Sequence, residues 1–168
     1  MQTAPVTRTL AAKMLIIVAT LGLLLGSAAP AQAVGPKWRE RMLEKVNSVR
    51  TAAGVAPVSW CRALDTSAQR YAGVLARSGA VQHEGLDGTT LLTRITATGY
   101  RVRVAGENLA GGQGTVVQVM RAWRASPHHL ANITDPRMTN VGFGYAEGPS
   151  TLYRTYWVQH FGSGGSCT

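Results

Sequence analysis

Polar chemistry in this chain rests on few side chains: four histidines, His83, His128, His129 and His160, and eight carboxylates. Imidazole suits proton transfer near neutrality and the holding of a divalent metal ion. The familiar arrangements for such chemistry are missing. His83-Glu84 is followed by aspartate at position 87, where an H-E-x-x-H zinc helix needs its second histidine. No serine occupies a G-x-S-x-G elbow, no glycine-rich phosphate loop precedes a lysine, and neither cysteine has a C-x-x-C partner. The doublet His128-His129 lies in "SPHHLANIT". Consecutive helical residues point about 100° apart, so a helical segment there turns only one of the two toward a narrow cleft. His160, beside Phe161 in an alternating segment, is expected as a partly exposed strand residue.

The elements that must carry these residues are legible as two periods. Trp38, Met42, Val46 and Val49 recur at helical spacing before Gly54, which predicts a helix over 37–53. Leu64, Ala68, Tyr71, Ala72 and Leu75 predict a second, stopped at Gly79; Leu91, Leu92 and Ile95 predict a short third ending at Gly99. Val116, Val117, Met120 and Trp123 mark a fourth, with Thr115 as its N-cap. Beyond it the period becomes two. Val141, Phe143 and Tyr145, then Tyr153, Thr155 and Trp157, read as two strands about the turn Glu147-Gly148-Pro149-Ser150. Trp123 and Trp157 read as core aromatics. Helices first and strands last argue for an α+β domain.

Residues 1–33 have the order of an export signal: a basic start with Arg8 and Lys13, an apolar run from Met14 to Gly26 too short to span a bilayer, and Ala31-Gln32-Ala33 as a cleavage site. Cleavage after Ala33 would release a secreted protein with no stable membrane span. The 168-residue chain less these 33 leaves 135 residues, 34–168, expected as one monomeric domain. Removing Arg8 and Lys13 from the 17 basic residues leaves 15 against 8 acidic, a net charge of +7. The arginines, Arg50, Arg94, Arg121 and Arg124 among them, are scattered rather than blocked, which reads as a solvated basic surface able to attract an anionic cell-envelope polymer or lipid head group. Export and the lack of a recognition motif argue against nucleic acid. In an oxidising compartment Cys61 and Cys167 are expected to pair. Asn132-Ile133-Thr134 matches a glycosylation acceptor, a pattern common by chance; Asn132 reads instead as a hydrogen-bonding residue at the end of its helical segment.

Four segments in order, "VQHEGLDG" at 81–88, "AGENLAGG" at 105–112, "WRASPHHLANIT" at 123–134, and "VGFGYA" with "YWVQHFG" at 141–162, resemble the CAP superfamily of cysteine-rich secretory, antigen 5 and pathogenesis-related-1 proteins, in its short bacterial SCP-like form. The resemblance implies an α-β-α sandwich with a central, mainly antiparallel sheet and a polar cleft of two histidines and two glutamates. By motif these fall on His83, Glu107 and His129, with Ser126 where the second glutamate would stand; His128 takes a glycine position. The histidines hold zinc or another divalent ion in some members. With one carboxylate missing, His83 and His129 would form a weak metal site at most, and no cofactor is required. The resemblance implies a non-catalytic binding module for a lipid or envelope component; two imidazoles able to activate a water suggest instead a divalent-metal-dependent hydrolase with Glu107 as base, and the net charge of +7 a purely structural interaction module on the cell surface. The first is favoured here, since Glu107 can equally serve to orient a histidine.

Overall fold

A computed structural model describes Met1, Gln2, Gly35 and residues 37–167. The export segment and its cleavage site lie, apart from the first two residues, outside the described residues.

Helix α1 (Trp38–Ala52) buries Trp38, Met42, Val46 and Arg50, one turn apart each time. The last of these is a cation where the pattern calls for an apolar residue. Arg50 Nε donates to the carbonyl of Ala56 (2.6 Å), Nη1 to those of Ile133 (2.7 Å) and Asp135 (3.0 Å), and Nη2 to that of Met138 (3.1 Å). The guanidinium thus caps carbonyls around the end of a later helix, where the backbone is electronegative. Burial lowers its pKa, against the opposing charge of Asp135. The reading of the arginines as a solvated surface is therefore corrected at Arg50, which is fully buried.

Strand β1 (Ser59–Trp60) is only two residues long and leads into α2 (Arg62–Ser78). Gly79 ends α2 in the left-handed conformation (φ 74°), its N–H donating to the Leu75 carbonyl. Then follow α3 (Leu91–Thr96), capped by a reciprocal Thr90–Thr93 pair; β2 (Val104–Gly111); α4 (Val116–Ala125), whose Thr115 hydroxyl accepts from the Gln118 N–H; α5 (Pro127–Thr134), with proline at its first position; β3 (Asn140–Gly148); and β4 (Arg154–Ser163).

The sheet order is β1-β3-β4-β2, antiparallel except where β1 runs with β3. Both central strands are buried on both sides because helices cover both faces. On one face α2 packs Ala68, Tyr71 and Leu75 against Tyr156 and Val158. It lies directly on the β3 backbone: a Cβ at Gly144 would sit 2.1 Å from the Ala68 carbonyl oxygen. On the other face α1, α4 and α5 surround Trp157 and Phe161, with Trp38 edge-on to Trp157 at 5.6 Å between ring centres. This is the α-β-α sandwich. Trp123 and Trp157 are both core residues; their indole N–H groups donate to the carbonyls of Leu109 (3.1 Å) and Gln113 (2.6 Å). Cys61 and Cys167, 106 residues apart in sequence, form the disulfide and close the last segment onto the start of α2.

Candidate functional site

The register of β2 on β4 sets Glu107 directly beside His160, and strand alternation turns Asn108 to the opposite face with Gln159. The Glu107 carboxylate is nearly buried, at 6% exposure, and has three partners. His83 Nδ1 meets Oε1 at 2.7 Å; Arg94 Nη2 (2.7 Å) and His160 Nε2 (2.8 Å) both meet Oε2. Burial alone would raise its pKa, but hydrogen bonds from His160 and His83, with the charges of His160 and Arg94, prevail and lower it to about 2. An ionised Glu107 can only accept, so His160 Nε2 carries its proton toward it. Burial lowers the His160 pKa, so at neutral pH the ring is uncharged and Nδ1 accepts from the Ser67 hydroxyl at 3.1 Å. The expectation of a partly exposed His160 is overturned: it is fully buried, since α2 covers that face of β4 and its Tyr71 ring stacks at 6.5 Å.

Arg94, on α3, closes the cluster. Its guanidinium lies 3.5 Å over the Tyr71 ring and donates through Nη1 to the Thr89 carbonyl (2.8 Å) and through Nη2 to that of His83 (3.0 Å) as well as to Glu107. The Arg94 side chain is 9% exposed, a second departure from the solvated reading. Its Nε is buried with no hydrogen-bond partner, so the group is held by charge, stacking and the outer nitrogens. Tyr71 in turn donates to the Gln82 carbonyl at 2.6 Å. The segment after α2 is thereby clamped onto the sheet, which places the His83 ring at the mouth.

Of the residues singled out in the sequence, His83 and Glu107 are in direct contact. The His83 side chain remains 66% exposed, and its hydrogen bond with Glu107 raises its pKa. His129 stands on α5, in the layer on the Asn108 side, half-buried; its main-chain carbonyl accepts from the Asn108 side chain at 3.0 Å. Burial lowers its pKa, helped by the charges of His83 and then His128, so the His83 and His129 rings are electrostatic neighbours. His128 is exposed, and Ser126 lies at the junction of α4 and α5. Asn132 donates to the Glu107 carbonyl (3.0 Å) and to Asn108 Oδ1 (2.9 Å). Sequence reasoning missed Arg94, His160 and Ser67 as members of the cluster. The His160 signal was present in the alternation of β4; Arg94 and Ser67 come from separate helices and had none.

A resident divalent ion does not fit this arrangement. Such an ion needs several ligand atoms aimed at one point. Among the described residues no three His, Cys, Asp or Glu side chains form such a group. Both Glu107 oxygens are engaged, His83 Nδ1 is turned to one of them, and Arg94 already supplies the positive charge. A further cation sharing the carboxylate would be opposed by about 4 kcal/mol per unit-charge pair at about 4 Å and an effective dielectric of about 20. With its pKa lowered to about 2 by these partners, Glu107 is also a poor general base.

A second concavity, of about 650 Å3, opens between α1, α4 and α5. Val49, Ala52, Ala125 and Leu130 form its apolar lining, and Arg121 and Arg124 stand on its rim. An adjoining hollow of about 250 Å3 shares Val49, Arg121 and Arg124 and adds Lys45 and Met120.

Comparisons with known proteins agree with the fold. The Bacillus subtilis protein YkwD is 28% identical over 124 residues, 74% of this chain and 46% of its own length, so this chain spans less than half of that relative. An extracellular SCP-domain protein of Bacillus anthracis superposes with a TM-score of 0.67 at 19% identity, over 75% of this chain and 40% of that one. An outer surface protein of Borrelia burgdorferi gives 0.64 at 21% identity, over 77% and 92%. At such identities the likeness concerns architecture alone. The profile of the cysteine-rich secretory protein family, CAP, matches residues 43–161, and with the ordered motifs now seated on a shared sandwich, the chain belongs to that family.

Proposed function

We propose that this protein is an exported, non-catalytic CAP module that holds a lipid anion in the groove between α1, α4 and α5. The observation that carries the reading is the pairing of an apolar lining with a basic rim: Val49, Ala52 and Leu130 offer a chain its contacts, and Arg121 and Arg124 offer an anionic head group its charge. The volume, about 650 Å3, suits one small amphiphile rather than a bilayer patch. No carboxylate lines this groove or the adjoining hollow. Export is supported by the pattern of residues 1–33 and by a disulfide of the kind that persists in oxidising compartments. The non-catalytic part is supported by Glu107, whose oxygens are committed to one guanidinium and two imidazoles.

Calorimetric titration of residues 34–168 with dodecyl phosphate, against the neutral dodecyl maltoside, tests this. The phosphate should bind, the maltoside should bind at least about tenfold more weakly, and Arg121→Gln with Arg124→Gln should erase most of that difference, roughly 1.4 kcal/mol or more. Equal binding of the two amphiphiles, or unchanged binding after loss of both arginines, would overturn the reading.

A further inference from the structure

We infer that Arg94 is a built-in substitute for a metal ion, and that it closes the His83–Glu107 cleft to divalent cations. Glu107 is the only carboxylate in the cluster, and Arg94 Nη2 stands 2.7 Å from its Oε2. The Arg94–Glu107 pair balances its own charge, so the buried end of the cleft offers no net negative charge to attract a dication; the other carboxylate lining the cleft, Glu84, is exposed at its mouth.

Geometry adds to charge. The guanidinium is held on every side that matters: Glu107 ahead, the Thr89 and His83 carbonyls beside it, and the Tyr71 ring beneath it at 3.5 Å. It cannot swing away without giving up its hydrogen bonds to both carbonyls and its ion pair with the buried carboxylate, a loss that a metal binding to that carboxylate would have to compensate. Its role is also bound to the guanidinium shape. A lysine could carry the charge but could not stack flat on Tyr71 while bonding three oxygens in a fork.

The imidazoles, by contrast, are of the type a metal wants. His83 and His160 both aim a ring nitrogen at Glu107, from 2.7 and 2.8 Å. Remove the guanidinium and the cluster becomes one buried carboxylate flanked by two imidazoles, with a net negative charge and a mouth opened by the largely exposed His83. Arg94 is thus the single residue that separates a metal-free cleft from a metal-binding one. This inference concerns a different face of the sheet from the lipid groove and stands or falls independently of it.

The test is titration of chelator-treated protein with zinc chloride, read by calorimetry and by thermal unfolding with and without the metal. Wild type should show no saturable heat and no zinc-dependent rise in Tm. Arg94→Gln, checked for its Cys61–Cys167 disulfide and native circular dichroism, should bind zinc at least about tenfold more tightly than wild type. That gain should vanish when His83→Ala is added. Stoichiometric zinc binding by wild type that His83→Ala abolishes would overturn the inference, as would a folded Arg94→Gln with no gain. Should Arg94→Gln fail to fold, the wild-type titration decides alone, since it needs no substitution of the arginine.

Discussion

Glu107 and Asn108 are neighbours on β2, yet they anchor two networks that differ in almost every physical respect. Glu107 faces α2 and α3 and gathers a guanidinium and two imidazoles. Asn108 faces α1, α4 and α5 and gathers neutral amides: its Nδ2 donates to Gln159 Oε1 (3.0 Å) and to the His129 carbonyl, and its Oδ1 accepts from Asn132. Gln159 completes that side against the sulfurs of Met42 and Met120 at 3.7 and 3.6 Å. One network is charged and reaches solvent through the exposed His83; the other is neutral, with Asn108 and Gln159 fully buried. The difference teaches that a strand's alternation can place a titratable cluster and a purely structural one a single residue apart.

The contrast breaks most visibly if Glu107 is truncated. Glu107→Ala would leave Arg94 and His160 buried without their acceptor, and denaturant unfolding at neutral pH should show a loss of about 3–5 kcal/mol. A destabilisation below about 1 kcal/mol would mean that the charged network contributes little beyond packing.

The next largest effect is a pH dependence confined to one side. The Glu107 pKa is depressed from 4.5 to about 2, so its contribution is present above 4.5 and is lost as pH falls toward 2. That amounts to about 3 kcal/mol, and the stability difference between wild type and Glu107→Gln, measured by urea unfolding, should shrink by that order across the window. The histidines act higher. His160 and His129 have lowered pKa values, so the unfolded chain takes up protons below about 6.5 that the native state resists, and stability falls there. His83, raised by Glu107, contributes in the opposite sense: its stabilisation is full below 6.5 and is lost as pH rises through its folded value.

Asn108→Ala should cost less, about 1–3 kcal/mol for the amide groups it strands, and its cost should not change between pH 7 and pH 4 beyond the drift of wild type. A pH-dependent penalty would show that the two networks are coupled through β2. The smallest effect belongs to His128→Ala, which should leave stability within about 0.5 kcal/mol because the residue is exposed. A larger change there would move His128 into one of the two networks.

Much of the scaffold was legible before any coordinates. Gly79 and Thr115 act at the helix ends their types suggest, and the four amphipathic helices fall within a few residues of their expected bounds. Strand β2 was not legible as a strand. "VAGENLAG" places glycine, glutamate and asparagine where a buried strand normally shows apolar residues, because both of its central polar side chains are satisfied by tertiary partners. β1 is too short to show a period, and the second strand begins at Arg154 rather than Tyr153, beyond a longer turn.

What the sequence by itself determined is local or ordered: helical and strand periods, the caps, the pairing of the only two cysteines, and the motif order that marks the CAP family with His83 and Glu107 in its cleft. Local periodicity encodes which face of an element is apolar, and this holds before anything packs. Only the tertiary structure decided which polar groups would share a face. It buried Arg50 at the end of α5, drew Arg94 and His160 onto Glu107 with Ser67 behind His160, and opened the groove beneath Arg121 and Arg124. The reason is desolvation. A charge inside the sandwich is tolerable only where packing brings its partner, and that partner lies far along the chain, beyond the reach of any local pattern.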